Sequence, residues 1–195
     1  MKSKSLEDNN SNSNETIDFE QFLSLFEDVE LPLVLDESFC SYKVLSKKDT
    51  IKADFVVLFI EKDTVLNAGV SLFYYYKFYP MVKFHVSSSI IGVIYAESGI
   101  AGGVEDRGIL NLYTASGKKI DELIVWEEAG EGEYMREITS IIISNKISLI
   151  ETGTEIDYDE DTGKGIEHET FREEREYKID TVHGKIEILK EDRKR

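Results

Sequence analysis

Apolar residues fall along this chain in two rhythms, and the change between them comes at Pro32. In "TIDFEQFLSLFEDVELP" (16–32), Phe19, Phe22, Leu23 and Phe26 recur at i, i+3, i+4 and i+7, the stripe of a helix with one buried face. Thr16 or Asp18 can cap its start, Glu20 suits the positive end of the dipole, and Pro32 marks where helix can no longer continue. The pattern predicts one amphipathic helix over 16–32, packed on the domain that follows.

Beyond Pro32, short β-prone runs dominate. "FVVLFI" (55–60) is continuously apolar, as expected of a strand buried on both faces. "VSLFYYYKFYP" (70–80) reads as an aromatic strand ending at Pro80. Its alternate residues would fill a core, or an outward tyrosine row would stack on sugars or a protein. "VKFHV" (82–86), "IIGVIYAE" (90–97), "ILNLYT" (109–114), "KIDELIVWEE" (119–128), "EITSIIIS" (137–144), "KISLIET" (146–152), "EHETFREEREYKID" (167–180) and "KIEILKE" (185–191) follow. With two prolines and with glycines mostly between the runs, they predict strands joined by tight turns. The expected fold is therefore all-β over 33–195: a single antiparallel β-meander forming a partial propeller, sandwich or barrel.

Two connections are analogues of one another. "NLYTASGKKIDEL" (111–123) and "EYKIDTVHGKIEIL" (176–189) each read strand, turn, Gly-Lys, strand. Gly117 and Gly184 would supply the positive φ of a short hairpin loop. They stand 67 residues apart, a distance that suits every second hairpin of a meander.

Composition and charge narrow the function classes. Hydrophobic content of 41%, with 11% aromatic residues, belongs to a folded domain. The polar residues 1–15 are the exception and are expected to be a disordered leader. A formal charge of −16 opposes binding to nucleic acid or to an anionic membrane surface. Between Glu151 and Glu176 eleven acids face three bases, which puts a net −8 into one predicted hairpin. No apolar run is long enough for a transmembrane segment. One cysteine, Cys40, leaves no disulfide framework and no cysteine-based zinc site, and it reads as a small buried side chain.

Candidate chemistry is sparse. In "DYDEDTG" (157–163) Asp157, Asp159 and Asp161 alternate, offering carboxylates to a hard cation such as calcium. An EF-hand is ruled out, because counting from Asp157 its glycine position falls on Thr162 and its glutamate position on His168. The rival reading is a solvated hairpin tip, with the three aspartates on one side of a strand. His85, His168 and His183 form no metal-pair spacing, and no GxSxG elbow or GxGxxG loop occurs. "ESGIAGGVEDRG" (97–108) reads as a loop between strands. No catalytic residue and no cofactor other than that calcium is singled out.

The polar leader, "DFEQFLSLFEDVELPL" (18–33), "LYTASGKKIDEL" (112–123) and "YKIDTVHGKIEIL" (177–189) resemble uncharacterised, lipoprotein-like proteins of Bacteroidetes-type bacteria. The resemblance implies a Phe-rich helix before a propeller-like β-meander and names no functional residues. If Met1 stands where such a protein carries its anchor cysteine, the expected place is the periplasm or cell surface, tethered by lipid. If Met1 is native, it is the cytoplasm. The functional expectation is a non-enzymatic binding or protein-interaction module for a protein or glycan. The alternatives are a carboxylate-based glycan hydrolase and an acidic inhibitor or immunity-type protein that binds a basic partner.

Overall fold

The computed structural model describes residues 18–40, 42–61, 71–99, 104–131, 133–158 and 165–194. The leader expected over 1–15 lies outside them.

The first helix, α1 (Phe19–Leu23), is shorter than its apolar period predicts. Asp18 accepts from the Gln21 amide at 2.8 Å while Gln21 Oε1 accepts from the Asp18 amide at 3.2 Å, a reciprocal cap. Ser24 Oγ then donates to the Gln21 carbonyl at 2.7 Å. Beyond that turn the chain extends instead of continuing to Pro32. Strand β1 (Glu27–Asp28) pairs in parallel with Val82–Lys83, and Lys83 Nζ donates to the Phe26 carbonyl at 2.9 Å. Sheet pairing outcompetes the last turns of helix. The phenylalanine stripe itself is buried as the pattern requires: Phe19, Phe22, Leu23 and Phe26 all face inward.

The run 55–60 is not the strand its composition suggests. It forms a helical turn, Ala53–Phe55, continued by a wider π-type turn, Val56–Ile60. Residues four apart share a face, so Val56 and Ile60 are buried while Val57 and Leu58 stay exposed. Phe59 rests on Phe22 with ring centroids 4.9 Å apart, and on Phe19 at 5.6 Å. Six apolar residues in a row fit either geometry, and here the rings of α1 decide it.

Eight long strands form the meander: β3 (Tyr76–His85), β4 (Ile90–Gly99), β5 (Val104–Thr114), β6 (Lys119–Glu131), β7 (Tyr134–Ile143), β8 (Lys146–Tyr158), β9 (Gly165–Ile179) and β10 (Ile186–Lys194). Each pairs antiparallel with the next. Together with β1 and with β2 (Leu33–Leu35) they make one ten-stranded sheet that does not close, so the fold is all-β but not a barrel.

Two sequence boundaries move. The end of the run 70–80 joins the run 82–86 in one strand, Tyr76–His85, which passes through Pro80 with a register shift between Pro80 and Val82. Proline, which lacks an N–H, is tolerated here because β1 pairs only beyond it. The stretch 97–108 is largely strand, with β4 reaching Gly99 and β5 beginning at Val104.

The sheet splits in its middle. β6 and β7 pair only through Glu127–Glu131 and Tyr134–Ile138. Past that point β2 takes the edge of β7, with Leu33 opposite Ile142 and Leu35 opposite Ser140. Ser140 Oγ reaches across to the Val125 carbonyl at 2.6 Å. Two cores result. Leu35, Leu110, Leu112, Trp126, Ile142, Ile147 and Ile179 form the larger, and the rings of α1 with Val93, Tyr95 and Tyr113 form the other.

Candidate binding cleft at the hairpin tips

A meander sends alternate turns to opposite ends. The β3–β4, β5–β6, β7–β8 and β9–β10 turns share one end, and the β8–β9 turn lies at the other. The two ends differ in charge. The first end is mixed, with Lys118, Lys119, Lys146 and Lys185 beside Asp121, Glu122 and Asp180, whereas the β8–β9 ribbon carries the acids Glu155, Asp157, Glu167 and Glu169.

Gly117 and Gly184 both adopt positive φ, 84° and 70°, as the two Gly-Lys turns require. Curling of the sheet brings these turns against each other. A Cβ on Gly184 would meet Ile120 Cδ1 at 2.6 Å and Ile90 Cδ1 at 3.2 Å, so only glycine lets the β9–β10 tip approach so closely. Lys185 Nζ donates to the Ile120 carbonyl at 3.2 Å, and the Ile186 amide donates to Asp121 Oδ2 at 3.0 Å. Asp180 holds the second turn. Its Oδ1 accepts from the amides of Val182 (2.8 Å) and His183 (3.2 Å), and its Oδ2 lies 2.6 Å from His183 Nδ1. The His183 ring, then these amides, hold the Asp180 carboxyl down at about 2.

Between the turns lies a cleft of about 600 Å³. Its floor is apolar, Ile90 and Ile120, and its walls carry Ser89, Thr114, Ser116, Lys118, His183 and Lys185. No carboxylate is among its lining residues.

A second feature, a charge ladder across β5 to β10, has no counterpart in the sequence reading. Arg107 donates to Glu127 at 2.7 Å, and Arg136 lies 3.1 Å from Glu127 and 2.8 Å from Glu151. Arg175 closes the series on Glu151 (2.9 Å), Glu173 (2.7 Å) and Glu191 (3.4 Å). Glu127, Glu151 and Glu173 are buried. Ion pairing on this scale fixes the side chains across neighbouring strands, which suits them to a structural part. The available signal was charge at alternate positions within β-prone runs, as at Glu127 in "VWEE" and Glu173 in "FREERE".

Carboxylates raised above their ordinary range occur elsewhere. Burial lifts Asp106, and burial followed by the charges of Asp106, Glu37 and Glu137 lifts Glu128. Asp106, Glu128 and Glu137 are successive cross-strand neighbours. None of them lines the cleft described above.

Of the predicted calcium residues, Asp157 sits in the last turn-proximal pairs of β8, opposite Ile166, and is exposed. Its Oδ2 lies 3.4 Å from His168 Nε2. Asp159 and Asp161 lie outside the described residues, as does the side chain of Cys40. Among the described residues no group of three potential metal ligands converges. The three histidines stand apart, all exposed. The tyrosine row does not form: Phe78 is buried, Tyr74 is exposed, and Leu72–Tyr74 is a 3-10 turn. No helix among the described residues is long and apolar enough to cross a membrane. Comparison with protein-family models, with curated proteins and with solved structures finds no match.

Proposed function

We propose that this protein is a non-enzymatic interaction module that engages a basic protein partner through the acidic tip of the β8–β9 hairpin. One observation carries this reading. Three of the four acids in the stem of that hairpin, all but Glu176, are paired with arginine, and those described toward the tip are not. In the stem, Glu151, Glu173 and Glu174 are each paired with an arginine. β7 pairs no further than Glu155 and β10 no further than Arg172, and after one more bond, from the Ile156 amide to the Glu133 carbonyl at 2.8 Å, the described ribbon has only its own two strands. There Glu155, Glu167 and Glu169 meet no base among the described residues, and Asp157 meets only His168. Tyr158 and Ile166, both about half exposed, add apolar contact area beside those charges.

Surplus charge at a projecting tip speeds encounter with an oppositely charged partner, and exposed aromatic and aliphatic side chains supply the contact that holds it. The glycan-hydrolase alternative draws on Asp106 and Glu128. Their neighbours, however, are other acids, not a cleft wall.

The test is the affinity of a fluorescent lysine-rich peptide for the wild-type protein and for a Glu155→Gln, Asp157→Asn, Glu167→Gln, Glu169→Gln variant, at low and moderate salt. Wild-type binding that weakens with salt, and is lost in the variant, supports the reading. Equal affinities sink it. Release of reducing sugar from a glycan panel would transfer the assignment to the hydrolase.

A further inference from the structure

The cleft at the opposite end has the reverse character. In a chain of net charge −16 it is lined by amines and hydroxyls without a carboxylate. The nearby acids are each engaged by specific bonds. Asp180 is engaged by its own turn, Asp121 accepts from the amides of Glu122 and Ile186, and Glu122 holds Lys119 at 2.6 Å. Lys118, by contrast, has no hydrogen bond or ion pair for its ammonium among the described residues. Among the described residues, Lys185 is held by the Ile120 carbonyl and, at 3.8 Å, by Asp121. The hydroxyls of Thr114 and Ser116 stand 2.9 Å apart on the same wall, and Ser89 faces them from the β3–β4 turn.

The two Gly-Lys turns, far apart in sequence, thus deliver one lysine each to facing walls of a single cavity over an apolar floor. We propose that this cleft binds a small organic oxyanion, a phosphate or sulfate monoester, with Lys118 and Lys185 on the anion and Ile90 and Ile120 against the organic body. The Lys118 ammonium has no acceptor among the described residues, and Lys185, which bonds the Ile120 carbonyl, keeps further N–H donors to offer, which is the chemistry of oxyanion recognition. The apolar floor requires more than an inorganic ion. This inference is independent of the acidic tip, which lies at the far end of the sheet.

The experiment is an amide-shift titration of the full chain with phenyl phosphate, phenyl sulfate and phenol. Both esters are expected to move the amides of Ser89, Ser116 and Lys185 at millimolar concentration, and phenol is not. Lys118→Gln and Lys185→Gln should each weaken ester binding about tenfold, the factor for one lost charge-assisted hydrogen bond. Lys146→Gln, at the same end but outside the cleft, should leave it unchanged. Equal response to phenol would reduce the site to an apolar crevice. No shift at these amides, or equal weakening by Lys146→Gln, overturns the proposal. If Lys118→Gln fails to fold, Lys185→Gln alone decides. A response to only one ester fixes which anion the site takes.

Discussion

Arg107 Nε donates to Glu127 Oε1 at 2.7 Å, and the carboxylate that receives it is wholly buried. The other oxygen, Oε2, faces Arg136 Nη1 at 3.1 Å without the alignment of a hydrogen bond. Arg107 is therefore the principal partner of a charge that water cannot reach. Arg107→Ala should destabilise the fold by about 3 kcal/mol, as removal of one member of a buried pair does. Glu127→Gln, which keeps the shape and removes the charge, should cost less. Urea denaturation of the two variants gives the comparison, and a smaller loss for Arg107→Ala would remove the ladder from the account of stability.

Gly117 combines positive φ with a crowded neighbour. A Cβ there would lie 2.6 Å from Phe19 Cγ. Gly117→Ala should lower stability by about 1–3 kcal/mol through left-handed strain alone, with a further loss from displacing α1. Loss of near-ultraviolet dichroism from the Phe19, Phe22, Phe59 and Tyr113 cluster would register the second effect.

Two groups of acids should respond to pH with opposite sign. The Asp180 carboxyl is depressed to about 2 from an ordinary 3.8. Its contribution is complete above the ordinary value and is lost as pH falls through about 2. Asp180→Asn should therefore flatten the loss of stability between these limits, in melts recorded down the acid range.

Glu128 is raised from its ordinary 4.5, by burial first and then by Asp106, Glu37 and Glu137. Its penalty is full above the raised value and disappears below the ordinary one. Glu128→Gln should raise the melting temperature at neutral pH and should lose that advantage at about pH 4. An unchanged melt at neutral pH would mean that the acid row is not strained.

The opening of the β8–β9 loop gives one further test. Melts in millimolar calcium and in chelator are expected to coincide, since Asp157 already faces His168. A calcium-dependent rise abolished by Asp157→Asn would make this loop a cation site.

Local chemistry was legible in the sequence wherever one residue type has one use. Gly117 and Gly184 announced their turns, and the phenylalanines of α1 announced a buried stripe. The run 55–60 was not legible, because Val56 and Ile60 fit helix and strand equally until Phe22 and Phe59 meet. The ladder was hidden for a different reason. Glu127 and Arg175 look like solvated charge until cross-strand register places them beside partners tens of residues away. The cleft was half legible: the two Gly-Lys turns could be matched by eye, but only the curl of the sheet puts them face to face.

Strand β2 has a consequence for how molecules of this chain treat one another. Its three residues complete the sheet from a point early in the chain, in the slot that β6 vacates beside Ser140–Ile142. A molecule that lost this segment to proteolysis, or released it by breathing, would offer a vacant β-edge shaped for the sequence Leu33-Val34-Leu35. A neighbouring copy carries that sequence. Pairing with β2 therefore covers an edge of β7 that would otherwise offer unpaired backbone groups to another strand.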